Sequence, residues 1–172
     1  MRVIAGKYKR RNLKAVVGNN TRPTTDRNKE NMFNLIGPYF DGGACLDLFG
    51  GSGSLGIEAL SRGMEKLYSV DMNYQAYQTI KENLVSLKIG EDEAKVYKMS
   101  CFKALEMFKE AKLYFDLVLL DPPYNKGFVP KVLDILIKED MLTSKAIVVA
   151  EEHSDVRLEK QYGALIKYKE VN

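Results

Sequence analysis

The stretch 44–63, ACLDLFGGSGSLGIEALSRG, constrains the fold more than any other part of this chain. Residues 44–49 form an apolar run interrupted only by Asp47, which predicts a short buried strand. The glycines that follow cannot continue a strand comfortably and predict a turn. Helical spacing of apolar residues then predicts a helix, with Ser54 as its N-cap and Gly63 as its C-terminal stop. Such a strand, glycine loop and helix N-terminus let a ligand approach the backbone closely.

The glycine loop also matches a nucleotide-binding pattern. Gly51, Gly53 and Gly56 satisfy G-x-G-x-x-G, and Asp71 ends the next predicted strand 20 residues after Gly51. This pattern is typical of adenosine cofactors, including NAD. Asp47 lies just before the glycines, where a carboxylate would repel a pyrophosphate and attract a cation. S-adenosylmethionine carries a sulfonium and an ammonium group, so the sequence favours this cofactor over NAD.

A second motif, Asp121-Pro122-Pro123-Tyr124, directly follows the apolar run 115–120, which predicts a buried strand. The motif should therefore lie at the carboxyl edge of the sheet, where ligands bind in open α/β sheets. Two prolines stiffen the backbone and remove N–H donors, leaving carbonyl and carboxylate acceptors beside an aromatic ring. These groups suit a planar base with an exocyclic amine, whose lone pair they could aim at a methyl group.

The chain as a whole predicts one α/β domain. It has 172 residues, of which 45% are hydrophobic, and predicted strands alternate with helices from residue 44 to residue 152. This alternation is typical of a mostly parallel, doubly wound sheet covered on both faces. Cys45 and Cys101 lack metal-ligand spacing, so we expect free thiols, no metal and a cytoplasmic location.

Positive charge is concentrated at the N-terminus. Residues 1–29 hold nine basic residues and one acid, whereas residues 30–172 hold 17 basic residues and 22 acids. The short β-type runs 2–5 and 12–16 predict a basic hairpin, which is typical of nucleic-acid contact. The nine cations are Arg2, Lys7, Lys9, Arg10, Arg11, Lys14, Arg22, Arg27 and Lys29.

The remaining elements are predicted from periodicity. A helix should follow a cap at residues 24–26, with Met32, Phe33, Leu35 and Ile36 facing inward. Asn73 should cap the helix after Asp71. We also expect strands over 146–152 and 164–171.

The segments MRVIAGKYKRRNL, TRPTTDRNKENMFN, LDLFGGSGSLGIEALSRG and FDLVLLDPPY closely resemble the RsmD family of bacterial 16S ribosomal RNA guanine-N2 methyltransferases. The resemblance implies a Rossmann-like fold and methyl transfer from S-adenosylmethionine to guanine N2 in 16S rRNA, within the small ribosomal subunit, by a monomer. Residues 1–20 would be a basic hairpin extension and residues 21–172 the methyltransferase domain. The family's sheet has a strand beyond KYKEVN, so we expect the last strand to be truncated.

The resemblance also implies roles for individual residues. The cofactor would be bound by Asp47, Phe49, Gly50, Gly51, Gly53, Leu55, Asp71, Met72, Ser100 and Cys101. The catalytic residues would be Asp121, Pro122, Pro123 and Tyr124. The RNA would contact Arg2, Lys7, Lys9, Arg10, Arg11, Arg22 and Arg27. Ser100 stands where such enzymes commonly place an aspartate for the adenine amine, which predicts weaker cofactor binding.

Three alternatives remain open at this stage. The same fold and cofactor could serve an adenine-N6 or cytosine-N4 methyltransferase acting on DNA, although the chain leaves little room for a separate recognition region. The protein could instead be a catalytically weak RNA-binding assembly factor, against which the intact DPPY motif argues. An NAD-dependent dehydrogenase fits the glycine pattern but leaves DPPY unexplained.

Overall fold

A computed structural model describes residues 1–18, 24–123 and 127–151, and the backbone of 161–162 and 165–166. The helices are α1 (Asp26–Ile36), α2 (Ser54–Ser61), α3 (Tyr74–Ser86), α4 (Cys101–Glu110) and α5 (Phe128–Lys138). The strands are β1 (Ala44–Asp47), β2 (Lys66–Asp71), β3 (Ala94–Lys98), β4 (Phe115–Leu120), β5 (Leu142–Ala150), β6 (Gln161–Tyr162) and β7 (Leu165–Ile166). None of the helices in these ranges is long and apolar enough to cross a membrane.

Five strands form one parallel sheet in the order β3-β2-β1-β4-β5. The predicted α/β class and doubly wound sheet are therefore confirmed. The chain leaves β1 in one direction to add β2 and β3, then returns to place β4 on the other side of β1. The strand order reverses between β1 and β4, and such a switch point opens a crevice at the carboxyl edge.

Alternate strand residues supply two separate cores. Cys45, Leu67 and Leu117 face a core that includes residues of α1, α2, α3 and the N-terminal segment. Leu46 and Val118 face the other core, which α4 and α5 cover. Burial on both faces explains why β1 and β4 are almost wholly apolar in sequence.

The first arm of the N-terminal hairpin lies along α2. Arg2 and Asn12 form an antiparallel bridge, which confirms the predicted hairpin as a short pair. The backbone N–H of Ile4 donates to a carboxylate oxygen of Glu58 at 2.9 Å. At the end of α2, the N–H of Tyr8 donates to the Ser61 hydroxyl at 2.9 Å. The arm therefore runs in the same direction as the helix.

The second arm returns along α3. The Arg11 guanidinium donates to the carbonyl of Ser86, the last residue of α3, at 2.9 Å. The Asn83 side chain accepts from the N–H of Lys14 at 2.8 Å and donates to the Lys14 carbonyl at 3.0 Å. Both helices end at the amino edge of the sheet, so the tip of the hairpin lies at that edge too.

A buried group of charges joins the hairpin, α1 and α2. Lys29, Glu58 and Arg62 are all buried, with Lys29 Nζ 3.4 Å and Arg62 Nε 2.7 Å from Glu58 oxygens. Lys29 also donates to the Arg2 carbonyl at 2.7 Å and to the Ser54 hydroxyl at 2.8 Å. Lys29 therefore has a structural position, unlike the solvated cations with which its sequence position groups it.

Some predicted details of helices are wrong. Gly53, not Ser54, is the N-cap of α2, because the Ser54 hydroxyl is turned inward to Lys29. Leu35 is 47% exposed instead of buried, since Lys29 and Phe33 occupy the inward face of α1. Asn73 caps α3 as predicted, accepting from the N–H of Ala76.

The C-terminal strands also differ from the prediction. β5 begins at Leu142, four residues earlier than predicted, and ends at Ala150; residue 152 lies outside the described range. In the predicted strand 164–171, the structure describes only β7, which pairs antiparallel with β6. The expected truncation of the last strand also concerns residues outside the described ranges.

Candidate functional site

Two acidic residues meet at the switch point of the sheet. Asp47 ends β1, and its register partner on β4 is Leu119, two residues before Asp121. The side chains that the two sequence motifs contribute are therefore neighbours at one carboxyl edge. The charge of Asp121 at this edge disfavours the ionised form of Asp47 and contributes to its raised pKa.

Asp47 is buried without a full set of partners. It is 1% exposed, and its Oδ2 atom has no hydrogen-bond partner. The hydroxyl of its neighbour on β2, Ser69, is also buried and unpartnered. Burial, and then the charges of Asp121 and Asp71, raise the pKa of Asp47 to about 7. A buried carboxyl with an unused oxygen is suited to a cationic ligand, which would favour its ionised form.

The glycine loop presents bare backbone at the same edge. Gly51 has a φ of +59°, and a Cβ built there would meet no atom within 4 Å. Its N–H donates to Asp71 Oδ2 at 2.9 Å, which fixes the loop against the end of β2. Gly53 also has a positive φ, +87°, and begins the turn into α2. The space above Gly51 is open to a ligand.

The residues expected near an adenosine line the ends of β2 and β3. Met72 follows β2 and is 69% exposed, so its side chain is free to cover an apolar ring. Ser100 caps α4 by accepting from the N–H of Lys103 at 3.2 Å. Cys101 is buried in the α4–α5 core, and burial raises the pKa of its thiol. The Ser100 hydroxyl could therefore accept a hydrogen bond from an adenine amine only in addition to the one that it accepts as the cap of α4.

Three phenylalanines form a row between the loops at this edge. Phe49 follows β1, Phe102 lies in the first turn of α4, and Phe128 begins α5. The ring of Phe128 lies 5.5 Å from that of Phe49 and 5.9 Å from that of Phe102, measured between centroids. Only Phe49 is among the site residues predicted from the sequence.

The DPPY motif lies at the carboxyl end of β4. Asp121 is half-buried, Pro122 is buried and Pro123 is exposed, whereas Tyr124 lies outside the described residues. Burial raises the pKa of the Asp121 carboxyl. The sequence analysis missed Glu151, which follows β5 and whose side chain hydrogen-bonds to that of Asp121. An acid directly after an apolar strand, the same signal that Asp121 gives, could have identified it.

The predicted RNA-contacting residues do not share one environment. Arg2 pairs with Asp26 at 3.1 Å and Lys7 with Glu93 at 3.8 Å, both on the surface. The Arg11 guanidinium is held at the end of α3. Arg22 lies outside the described residues. The remaining three, which form no ion pair with an acid in the described ranges, are Lys9, Arg10 and Arg27.

The residues at the carboxyl ends of β1 and β2 fit S-adenosylmethionine. The unpartnered Asp47 oxygen suits the cationic methionine end, and the bare backbone at Gly51 leaves room for close approach. Asp71 has already accepted from two backbone N–H groups, those of Gly51 and Asn73, but each of its oxygens keeps a further acceptor site for a ribose hydroxyl.

A family model described as conserved hypothetical protein 95 matches residues 1–172. The putative rRNA methyltransferase YlbH of Bacillus subtilis is 46% identical over 166 residues, or 96% of this chain and 90% of that protein. Ribosomal RNA small subunit methyltransferase D of Haemophilus influenzae is 35% identical over 90% of this chain and 80% of its own length. A solved structure, the putative methyltransferase yhhF from Escherichia coli, superposes with a TM-score of 0.77 at 31% identity, over 92% of this chain and 85% of that one. The chain therefore belongs to the conserved hypothetical protein 95 family, the RsmD family that its motifs resemble.

Proposed function

We propose that this protein transfers a methyl group from S-adenosylmethionine to the N2 amine of a guanine in 16S ribosomal RNA. Family membership supports RNA methylation with this cofactor, since relatives at 46% and 35% identity are named as rRNA methyltransferases. The observation that carries the proposal is the adjacency of Asp47 and Asp121 at the switch point. One carboxyl suits the cationic cofactor and the other suits a base amine.

The cofactor would lie across the carboxyl ends of β1, β2 and β3. Asp47 and the backbone of the glycine loop would hold its methionine end, and Asp71 its ribose hydroxyls. Met72 would cover the adenine, and Ser100 would accept from the adenine amine. The other members of this proposed set are Phe49, Gly50, Gly51, Gly53, Leu55 and Cys101, of which Cys101, buried in the core, would contribute backbone only.

The chain's own residues would act by positioning the base. The Asp121 carboxyl and the Pro122 carbonyl would accept from the two N2 hydrogens, which lets the nitrogen pyramidalise and direct its lone pair. When bound, S-adenosylmethionine would supply an electrophilic methyl group, which N2 would receive as the carbon–sulfur bond breaks and its electron pair stays on sulfur. The methylated nitrogen then releases its extra proton to Asp121 or to water. Pro123 would stiffen the loop, and Tyr124 would stack on the base.

The RNA would lie across the hairpin and α1. We propose that the hairpin, residues 1–20, is an RNA-binding extension of the methyltransferase domain, residues 21–172. The exposed cations Lys9, Arg10 and Arg27 would contact phosphates directly, and Arg2 and Lys7 would first give up their surface ion pairs. We also propose that the enzyme is a cytoplasmic monomer and that its substrate is the assembling or assembled small subunit.

The first test is methyl transfer from radiolabelled S-adenosylmethionine. Small ribosomal subunits, naked 16S rRNA and duplex DNA, all from cells that lack the modification, are incubated with the protein and digested for nucleoside analysis. We expect the label in N2-methylguanosine from the RNA substrates. Label in methyladenine or methylcytosine would instead support the alternative amine methyltransferases. Cofactor binding without any label would support the catalytically weak assembly factor.

Replacement of Asp121 by alanine tests the amine clamp. We expect Asp121→Ala to reduce transfer at least about a thousandfold while cofactor affinity stays within a few-fold, because Asp121 would hold the base and not the cofactor. Asp116→Ala is a matched control on the same strand, since Asp116 accepts from Ala44 and Thr143 at the opposite end of β4. Retained turnover in the Asp121 variant would remove the clamp argument.

A further inference from the structure

Glu151 is fixed beside Asp121 by the strand ladder. The last pair in the β4–β5 register is Leu120 with Ala150, so Asp121 and Glu151 are the next residues on the two strands. The Glu151 N–H donates to the Leu120 carbonyl at 2.8 Å. Glu151 is half-buried, and its side chain hydrogen-bonds to the Asp121 carboxyl. Its carboxyl therefore borders the position where the target amine would be held.

A hydrogen bond between two carboxyls requires one proton between them. Burial, followed by the charge of Asp121, raises the pKa of Glu151 to about 7, and burial raises the pKa of Asp121 as well. Asp47 is a further acid beside Asp121, whose charge raises the pKa of Asp47. In the described part of the chain, neither Asp121 nor Glu151 forms an ion pair with a cation. That proton lies in the hydrogen bond between Asp121 and Glu151, so the other oxygen of each carboxyl is left to accept a hydrogen bond.

Two neighbouring acceptors match only one kind of base edge. Guanine carries an N1–H donor directly beside its N2 amine. Adenine and cytosine carry an acceptor nitrogen, N1 or N3, beside theirs, and this lone pair would face a carboxyl oxygen that has no proton to donate. The arrangement therefore attracts guanine and repels the two bases that the alternative functions would require.

We propose that Glu151 selects guanine by accepting a hydrogen bond from its N1–H while Asp121 and Pro122 hold the N2 amine. This rests on the proposed function, because it assumes that Asp121 clamps a base amine. It assigns to Glu151 the choice of base, and to Asp121 the orientation of the nitrogen that receives the methyl group.

The test replaces the target guanine by 2-aminopurine, which keeps the N2 amine but has an acceptor at N1. The substitution is made in whichever RNA substrate accepts methyl groups. For the wild-type protein we expect kcat/KM to be about 10² lower on 2-aminopurine than on guanine. Glu151→Leu removes the acceptor with little change in volume, so activity on guanine should fall while the ratio between the two bases falls at least about tenfold.

Glu151→Gln is the conservative variant. Its amide N–H can donate to Asp121 while its carbonyl faces the guanine N1–H, so the ratio should stay within a few-fold of wild type. Glu139→Gln, at the far end of α5 where Glu139 pairs with Lys109, is the matched control and should change neither rate.

The outcomes separate the two proposals. If the role of Glu151 were only structural, Glu151→Leu would lower the rates on guanine and 2-aminopurine equally. An unchanged ratio would overturn this inference and leave the proposed function standing. A wild-type protein that accepts 2-aminopurine as readily as guanine would also overturn it, whatever the variants do. Label in methyladenine or methylcytosine in place of N2-methylguanosine would overturn the proposed function and this inference together.

Discussion

Asp47 lowers the stability of the fold but suits the proposed binding of a cationic cofactor. Without a ligand, a buried carboxyl with an unpartnered oxygen destabilises the folded protein. The raised pKa of Asp47, about 7 against an ordinary value of 3.8, reflects this destabilisation. A cationic ligand would remove the destabilisation by pairing with the ionised form. The residue is thus explained by what it binds better than by what it packs against.

The raised pKa of Asp47 predicts how stability changes with pH. Between about pH 4 and pH 7 the folded protein keeps a proton that the unfolded chain has released, so the free energy of unfolding falls as pH rises through this window. Asp47→Asn should flatten the fall by at most about 4 kcal/mol, measured by urea unfolding without cofactor at several pH values. Asp121 and Glu151 act in the same direction and remain in the variant.

The same linkage predicts that wild-type affinity for S-adenosylmethionine rises between about pH 5.5 and pH 7, because binding favours the ionised carboxyl. Asp47→Asn should bind S-adenosylmethionine more weakly and lose this pH dependence of the affinity, which calorimetry can measure. Parallel stability curves for the two proteins would contradict the raised pKa of Asp47.

Gly51 offers a test of the cofactor cradle that is nearly independent of stability. Gly51→Ala should cost about 1 kcal/mol for its positive φ and reduce cofactor affinity at least about tenfold, because a methyl group would occupy the open space. Gly18 is a matched control, since it has a φ of +69° and nothing within 4 Å of a built Cβ. Equal cofactor affinity in the Gly51→Ala and Gly18→Ala variants would show that no ligand approaches Gly51.

Among the elements, the N-terminal hairpin is tied to the core although its sequence is strongly basic. Val3 and Leu13 are core residues, and Glu58 of α2 receives the backbone of the first arm. The Asn83 side chain binds Lys14 and also donates to the Ser52 carbonyl at 2.8 Å. Because Ser52 belongs to the glycine loop, the basic extension and the proposed cofactor loop are anchored on the same side chain.

The buried charges beneath the hairpin predict a large loss of stability. Lys29→Met leaves the buried Glu58 with one cation, Arg62, in place of two, and the Arg2 carbonyl without its donor, so the free energy of unfolding should fall by about 3 kcal/mol. Lys14→Met, which removes a surface pair with Glu82, should change it by no more than about 0.5 kcal/mol. Urea unfolding measures both, and similar small losses would contradict a structural role for Lys29.

The order of the elements could be predicted from the sequence because it depends on local patterns. The apolar run 115–120 matches β4, and Asn73 caps α3. What the sequence could not supply depends on contacts between distant residues. Lys29 looks like its solvated neighbours until Glu58 is brought to it, and that contact also turns Ser54 away from its predicted cap position. Glu151 gains its importance only because β5 lies beside β4.

Over the whole molecule, the proposed reaction and the tip of the hairpin lie at opposite edges of the sheet. Tyr8 and Arg11 contact the last residues of α2 and α3, whereas Asp121 lies at the carboxyl edge where those helices begin. With 8 and 13 residues, the two helices are about 12 and 20 Å long. A nucleotide at Asp121 and a phosphate at the tip would therefore belong to well separated parts of the RNA.

This separation predicts how charge removal at the tip affects the enzyme. Replacing Lys9, Arg10 and Arg11 by glutamine should raise KM on long RNA, leave kcat nearly unchanged and reduce the salt slope by up to about 2–3. Steady-state rates at several salt concentrations measure all three quantities. An unchanged salt slope would move the RNA surface elsewhere.

The matched control removes equal charge from the opposite face of the sheet. Glutamine at Lys112, Lys131 and Lys138, in or next to α4 and α5, should leave KM and the salt slope near wild type. A rise in KM and a decrease in salt slope as large as those of the tip variant would mean that net charge, and not the hairpin, attracts the RNA.

The hairpin arms are bonded along α2 and α3, so the span between tip and reaction edge is set by folded helices and not by a flexible linker. With RNA held at the tip, the hairpin would act as a ruler that selects the target nucleotide by its distance as well as by its base. A short oligonucleotide that carries the target guanine could reach Asp121 but not the tip. Its methylation should be as slow with the wild-type protein as with the tip variant.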